Sequence, residues 1–195
     1  SGEKSVTFSL LSSPASLDPA TTTDGSSLMV ETQLFSMLVD SKGGNSSEIK
    51  PDIAESWDIS EDGLTYTFKL RDDVYFHNGK LLTADDVVYT FNRVMTEPYT
   101  SYYAAPIKSV EATDEHTFVA HLNYPFADFL TLIGGIYFGI CCEEAITAGS
   151  DFMYKPVGTG PYKLEGGYIP GQAFKFVYND QYYGAEPDIK EINFK

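Results

Sequence analysis

The chain has 195 residues, 43% of them hydrophobic, and its 13 Lys and Arg against 28 Asp and Glu give a formal net charge of −15. A chain of this length and hydrophobicity can bury a core, which excludes disorder, and the acidic excess repels phosphate backbones, which excludes nucleic acid as an expected partner. Two adjacent cysteines, Cys141 and Cys142, do not make a disulfide scaffold, and no run of 18 apolar residues predicts a membrane span.

The first third of the chain predicts a strand, a loop and a helix. Residues 5–11 are β-branched and apolar, as in a strand, and the two prolines within residues 12–19 predict a loop. Ser26 or Ser27 can cap a helix that runs to about Val39. Glu31 is the polar exception on the apolar face of this helix. The Gly- and Ser-rich residues 41–47 predict a linker-like turn.

The middle of the chain predicts two hairpins and three helices. Alternation of apolar and polar residues over 64–70, after an Asp-Gly turn, indicates a half-buried strand. Thr83 is placed to cap a helix that Pro98 ends. Residues 107–112 and 117–122 flank a polar turn and predict a second hairpin. Shorter helices are expected at 126–133, after Pro125, and at 143–148.

The last 40 residues predict strands at 162–164, 174–178 and 189–194, with a Pro-Gly turn between the first two. The whole pattern indicates a mixed α/β protein with many hairpins. The adjacent cysteines lie in an apolar run and are expected to be small buried side chains.

No group of residues has the spacing of a catalytic or metal site. The histidines lie in turns or at polar positions of a hairpin, without a second His four residues away or an orienting carboxylate. The glycine-containing segment from Gly158 to Gly160 is followed by Pro161, which has no amide donor, and then by a predicted strand. A phosphate loop needs amide donors and a following helix, so it is not predicted here. The chain is therefore not expected to be an enzyme, and no cofactor or metal is expected.

Several ordered motifs give the chain a specific resemblance. They are PDIAESWDISEDGLTYTFKLR at 51–71, FHNGKLLTADDVVYTF at 76–91, PVGTGPYKL at 156–164, NDQYYG at 179–184 and SLDP at 16–19. Together they resemble the bacterial extracellular solute-binding proteins of family 5, which are the oligopeptide, dipeptide and nickel receptors of ABC importers. Asp73 and Tyr183 depart from the residues usual in that family, where glycine and tryptophan are common.

The resemblance implies a fold and a division of the chain. The fold is α/β, the periplasmic-binding-protein-like type II (class C) lobe I with its extra α+β subdomain. Residues 1–44 would begin lobe I, residues 45–154 would form the class-specific subdomain, and residues 155–195 would return into lobe I. Family members are bilobed and much longer, so the second lobe and the C-terminal segment that completes lobe I are expected to be missing.

The resemblance also implies a function. The chain would belong to a solute-binding receptor that captures peptides for an ABC importer and works with its membrane permease subunits. The receptor would lie outside the cytoplasm, and a lipid anchor is compatible with that location. The chain is expected to be a monomer. The alternatives are capture of a nickel chelate, haem or an oligosaccharide by the same fold, and a structural fragment that binds no ligand. The second-lobe aspartate that pairs with a peptide amine in the family would lie outside this chain, so weak binding is expected.

Nine residues are candidates for ligand contact by the same resemblance. The loop after the first strand resembles a segment that binds peptide backbone, and the aromatic stretch and glycine loop resemble walls of the cleft. These residues are Ser13, Pro14, Ala15, Ser16, Tyr99, Tyr102, Tyr103, Gly158 and Thr159. A proline-shaped loop, ordinary tyrosine packing and a tight connection are the structural alternatives for these three groups.

Overall fold

A computed structural model of the protein describes residues 4–41, 48–149 and 151–195. Most of the predicted linker-like turn and the proposed boundary at residues 44 and 45 lie outside these ranges. Within them, every helix is too short or too polar to cross a membrane. The division of the chain into three segments stays a prediction.

The described ranges form a mixed α/β structure, as the sequence predicts. The helices are α1 (Gly25–Leu34), α2 (Ala84–Thr96), α3 (Phe129–Ile133) and α4 (Glu143–Thr147), with a 3₁₀ helix at Ile136–Phe138. The strands are β1 (Lys4–Phe8), β2 (Val39–Asp40), β3 (Lys50–Pro51), β4 (Ala54–Ile59), β5 (Thr65–Leu70), β6 (Ile107–Asp114), β7 (Thr117–Leu122), β8 (Tyr162–Leu164), β9 (Phe174–Tyr178) and β10 (Ile189–Phe194).

One four-stranded sheet has the order β4-β5-β7-β6, and all its neighbouring strands are antiparallel. Its inner face packs against α2, where the ring of Phe91 lies 4.8 Å from that of Phe118 and 5.0 Å from that of Phe138. Phe68 is also fully buried in this core. The alternation of residues 64–70 therefore places one face of β5 inside and the other towards solvent.

The second four-stranded sheet has the order β1-β10-β9-β8 and packs against α1. Strand β1 pairs in parallel with β10, near the opposite end of the chain, whereas β10-β9 and β9-β8 are antiparallel pairs. A separate apolar cluster fills this region, with Leu17, Leu34 and Phe176 fully buried. Two cores therefore lie in one chain, with α1 in the second.

Helix α2 begins and ends where the sequence predicts. Thr83 and Asp86 form a capping box, in which each side chain reaches the backbone N–H of the other residue. Asp86 is fully buried, and each of its carboxylate oxygens accepts a hydrogen bond from Lys80 Nζ at 2.7 Å. The backbone leaves helical geometry at Glu97, immediately before Pro98.

Helix α1 differs from the sequence prediction at both ends. Its N-cap is Asp24, which accepts from the backbone N–H of Ser27 at 2.9 Å, and not Ser26 or Ser27. It ends at Leu34 and not near Val39, because the backbone is extended from Phe35 and Val39 pairs in β2. Helix α3 likewise begins three residues later than predicted, at Phe129. Both cysteines are buried and form no disulfide, as expected.

Candidate ligand-binding surface

The loop after β1 is held by α1 and by the turn before β9. The Oγ of Ser27 accepts from the backbone N–H of Ala15 at 3.0 Å and of Ser16 at 3.3 Å. Tyr168 donates its hydroxyl to the carbonyl oxygen of Pro14 at 2.7 Å. Ser13 and Ala15 are exposed, whereas Pro14 and Ser16 are buried. The backbone N–H groups of Ala15 and Ser16 and the carbonyl of Pro14 therefore already have hydrogen-bond partners within the protein.

The first part of the same loop has free backbone. Within the described ranges, the backbone N–H and C=O groups of Leu11, Ser12 and Ser13 have no hydrogen-bond partner, and all three residues are exposed. They line a groove of about 280 Å³ that the 171–174 turn and Lys195 complete. An extended segment with unpaired backbone groups can pair with another extended chain. This stretch begins two residues earlier than the predicted segment.

The predicted tyrosines lie together in the turn after α2. Tyr99 is 67% exposed, Tyr102 is 83% exposed and Tyr103 is 36% exposed. The Tyr103 ring stacks on that of Tyr137, with centroids 4.5 Å apart, and Tyr102 meets Tyr103 edge to face at 5.9 Å. Sequence reasoning missed Tyr137, since it lies in an apolar run that predicts only core. Burial and the neighbouring Tyr103 raise the pKa of the Tyr137 phenol.

Two anchors tie the tyrosine turn and α2 to the loop that leads into α1. Thr100 is fully buried and its Oγ1 lies 3.2 Å from the carbonyl oxygen of Ala20 and 3.3 Å from that of Val94. Arg93 of α2 donates from two nitrogens to both carboxylate oxygens of Asp18, at 3.0 and 2.7 Å. Two of the three groups of predicted residues are therefore joined by a short chain of contacts.

The third predicted group lies at the other end of α1. Gly158 and Thr159 are buried, and the N–H of Gly160 donates to the carbonyl of Leu34 at 2.9 Å. A Cβ on Gly158 would lie 2.1 Å from that same Leu34 oxygen, so only glycine fits there. In this structure the segment braces the end of α1, and its role in ligand contact stays a prediction.

His77 joins this brace to the β4–β7 region. Its Nε2 lies 3.1 Å from the carbonyl oxygen of Gly160, and its Nδ1 accepts from the N–H of Gly158 at 3.4 Å. Burial lowers the pKa of His77 to about 4, the hydrogen bond with Gly160 opposes this, and Lys163 adds to it. The ring is therefore neutral at pH 7, with one nitrogen donating and the other accepting.

The exposed groups of this surface are suited to hydrogen bonding and to stacking. Across the described ranges, no three His, Cys, Asp or Glu side chains are grouped so that they could hold a metal ion. The exposed groups are backbone amides, the hydroxyls of two serines, and tyrosine rings with their hydroxyls. Such groups can hydrogen-bond a polar chain and stack against its side chains.

Comparison with known proteins places this geometry in a family. The profile of the family described as "Bacterial extracellular solute-binding proteins, family 5 Middle" matches residues 48–195. The chain belongs to this family. The match covers strands β3 to β10, which include all of the first four-stranded sheet and three of the four strands of the second. The resemblance carried by the sequence motifs is confirmed.

Individual family members match almost the whole chain. Heme-binding protein A of Haemophilus influenzae is 34% identical over 98% of it, and the dipeptide-binding protein of Escherichia coli is 30% identical over 98%. The structure of DppA of Helicobacter pylori in complex with the peptide STSA superposes with a TM-score of 0.88, at 31% identity over 98% of this chain.

The chain spans only about 40% of the length of these curated relatives and 42% of the DppA chain. The chain therefore has the mixed α/β fold of the family 5 binding proteins over part of their length, which agrees with the partial lobe that the sequence predicts.

Proposed function

We propose that this chain forms one wall of the binding cleft of a solute receptor that serves an ABC importer, and that the solute is a peptide. In this proposal the receptor works outside the cytoplasm, delivers its ligand to membrane permease subunits and has no catalytic role. The family and the peptide-binding relatives support the proposal. A lipid anchor and a monomeric state are compatible with it.

One observation carries the peptide interpretation. The backbone of Leu11, Ser12 and Ser13 is exposed and unpaired within the described ranges, directly after strand β1. A receptor that accepts many peptide sequences gains most from contacts with the peptide backbone, because the backbone is common to all of them. The exposed tyrosines then offer broad, adaptable surfaces for side chains, since each ring adds area with few rotatable bonds.

Burial divides the nine candidate residues in this proposal. Ser13 and Ala15 are exposed and are assigned to direct ligand contact, together with Tyr99, Tyr102 and Tyr103. The buried residues Pro14, Ser16, Gly158 and Thr159 are assigned to holding the loop and α1 in place.

Affinity arithmetic predicts weak binding by this chain alone. A receptor with micromolar affinity has a binding free energy of about −8 kcal/mol. If one wall supplies about half of the favourable contacts, about −4 kcal/mol remains, which corresponds to a dissociation constant near 1 mM. Calorimetric titration with di- to hexapeptides checks this value, and micromolar affinity of the chain alone would contradict the one-wall proposal.

A matched pair of tyrosine variants tests which surface binds. Tyr103→Ala removes a ring that is 36% exposed within the proposed surface, and Tyr75→Ala removes one that is 38% exposed outside it. We expect Tyr103→Ala to weaken peptide binding about 5-fold or more, in the range of one lost aromatic contact, and Tyr75→Ala to leave it unchanged. Equal effects of the two variants would place the ligand elsewhere.

A second candidate ligand is haem. It is favoured by the 34% identity with a heme-binding protein and by the stacked pair of Tyr103 and Tyr137, which offers a flat aromatic face. Titration followed by visible absorption distinguishes the two ligands. A haem spectrum that Tyr103→Ala abolishes and that excess peptide does not displace would favour haem capture over peptide capture.

A further inference from the structure

Glu31 is a buried carboxyl group without a cationic partner among the described residues. None of its surface is exposed. The other two buried carboxylates of the described residues are neutralised, since Asp86 is bound by Lys80 and Asp18 is bound by two guanidinium nitrogens of Arg93. The Oε2 atom of Glu31 has no hydrogen-bond partner in the described part of the chain. An ionised carboxylate in this position would be a costly unpaired charge.

Counting hydrogens at Thr22 supports a proton on Glu31, although the Asp18 carbonyl oxygen also accepts from the backbone N–H of Thr21 at 3.0 Å. Its Oγ1 contacts Glu31 Oε1 and is also 3.0 Å from the carbonyl oxygen of Asp18. A hydroxyl has one hydrogen, and an ionised carboxylate and a carbonyl both only accept, so Thr22 cannot satisfy the two together. If Glu31 carries a proton, it donates to Thr22 and Thr22 donates to the Asp18 carbonyl. Every contact then has its hydrogen.

The surroundings of Glu31 favour the neutral acid. Burial raises its pKa to about 8, a hydrogen bond donated by Thr22 to the ionised carboxylate would oppose the rise, and the carboxylates of Asp18 and Asp24 add to it. Among the described residues, the phenol of Tyr137 on the 3₁₀ helix and the thiol of Cys141 after it also interact with Glu31, and the guanidinium of Arg93 on α2 is bound by Asp18.

We propose that Glu31 is kept as the neutral acid and donates a hydrogen bond to Thr22, which makes the contact between α1 and the 17–22 loop a proton-dependent latch. The same loop carries Asp18, whose ion pair with Arg93 reaches α2 in the other core. Ionisation removes the donated hydrogen and adds a third negative charge beside Asp18 and Asp24. The latch therefore weakens in alkaline solution.

The direction of the pH effect follows from proton counting. An unfolded glutamate loses its proton near pH 4.5, and the folded protein keeps it until about pH 8. Between these values the folded state holds one proton more than the unfolded state, so stability falls as pH rises through the window and this contribution is constant above it. The effect is at most a tenfold loss in the folding equilibrium constant per pH unit.

Chemical denaturation of the full chain at pH values from 5 to 9 tests the latch. Glu31→Gln keeps the shape of the side chain and a hydrogen-bond donor to Thr22, but it cannot ionise. Glu144→Gln, which removes an exposed carboxyl group, is the matched control. We expect the folding equilibrium constant of the wild type, divided by that of Glu31→Gln, to fall about 400-fold between pH 5 and 8. Division by Glu144→Gln should give a flat profile. A flat profile for Glu31→Gln overturns the proposal.

An infrared titration of the wild type keeps the test decisive if Glu31→Gln does not fold. A buried neutral carboxylic acid has a C=O stretching band that an ionised carboxylate lacks. We expect such a band at pH 6.5, where exposed carboxyls are ionised, and its loss by about pH 9.5. Absence of the band at pH 6.5 contradicts the latch.

Discussion

The β4-β5-β7-β6 sheet and the β1-β10-β9-β8 sheet have equal numbers of strands but are assembled differently. The first is antiparallel throughout and is made by residues 54–122, with α2 packed on its inner face. The second joins β1 in parallel to β10, which lies about 185 residues later in the chain. The first sheet is built from one continuous stretch of chain, whereas the second depends on contacts between distant segments.

The two regions also differ in how much apolar surface they expose. Aromatic side chains of the first sheet, such as Phe68 and Phe118, are fully buried. Beside the second sheet, Phe8 of β1 is 51% exposed and Met29 of α1 is 53% exposed, and both line an apolar groove of about 280 Å³. The loop with unpaired backbone also follows β1. In the proposed function, the loop after β1 and the tyrosine turn after α2 together form the binding surface, and the β4-β5-β7-β6 sheet supports that turn through α2.

The largest expected effect separates the two regions by core packing. Phe91→Ala removes a fully buried ring from the first core and should lower the free energy of unfolding by about 4 kcal/mol. Phe8→Ala removes a ring of similar size from β1, where half of it is already exposed, and should cost about 1 kcal/mol or less. Denaturant unfolding measures both values. Equal losses would show that β1 is as tightly packed as α2.

The second effect concerns the brace at the end of α1. Gly158→Ala places a methyl group 2.1 Å from the Leu34 carbonyl oxygen and should cost about 3 kcal/mol, because backbone must move. Gly25→Ala is the control at the start of the same helix, where no atom lies within 4 Å, and should be neutral or slightly stabilising. Thermal or chemical unfolding checks the pair. A neutral Gly158→Ala would mean that the brace is loose.

The third effect is a dependence on acid that comes from His77, at the junction of the two regions. An unfolded histidine gains a proton near pH 6.5, whereas the folded protein resists protonation until about pH 4. The unfolded state therefore binds more protons in this window, and stability falls as pH drops through it, by at most about 1.4 kcal/mol per pH unit.

His77→Gln keeps one donor and one acceptor and should remove this contribution. Unfolding measured from pH 7 to pH 4 checks the difference between the two proteins. An identical slope in both would show that His77 does not control acid stability. Glu31 acts in the opposite sense, since its contribution falls as pH rises.

The smallest expected effect on stability is that of Tyr102→Ala. The ring is 83% exposed, so its removal should change the free energy of unfolding by about 0.5 kcal/mol or less. The same variant should weaken peptide binding, because its surface lies in the proposed cleft wall. Unfolding and calorimetry on one preparation give both values. A large stability loss would assign Tyr102 to packing and not to binding.

Sequence reasoning succeeded where the determining contacts are local. The alternation in β5 and the capping residues of α2 act over a few positions, and both elements are found at the predicted bounds, within a residue or two. It failed at α1, where the sequence indicates Ser26 or Ser27 as the cap and the structure has Asp24. The choice of Asp24 depends on Ser27, whose hydroxyl is also used by Ala15 and Ser16 from the loop.

The candidate site was predicted in part for the same reason. The tyrosine turn and the loop after β1 could be named by resemblance, but their connection through Thr100 and Ala20 could not be derived, because it joins positions 80 residues apart. The pairing of Tyr103 with Tyr137 was also missed. Glu31 was noticed as a polar exception, but its lack of a cationic partner follows only from the three-dimensional contacts.

Mapping a peptide titration by ¹⁵N NMR tests the division between support and binding surface most directly. With a tripeptide raised to about 5 mM, near the affinity expected for one wall, we predict shift changes at residues 11–16 and 99–103. The β4-β5-β7-β6 sheet should remain unchanged. Shift changes centred on that sheet, or none at either surface, would contradict the account.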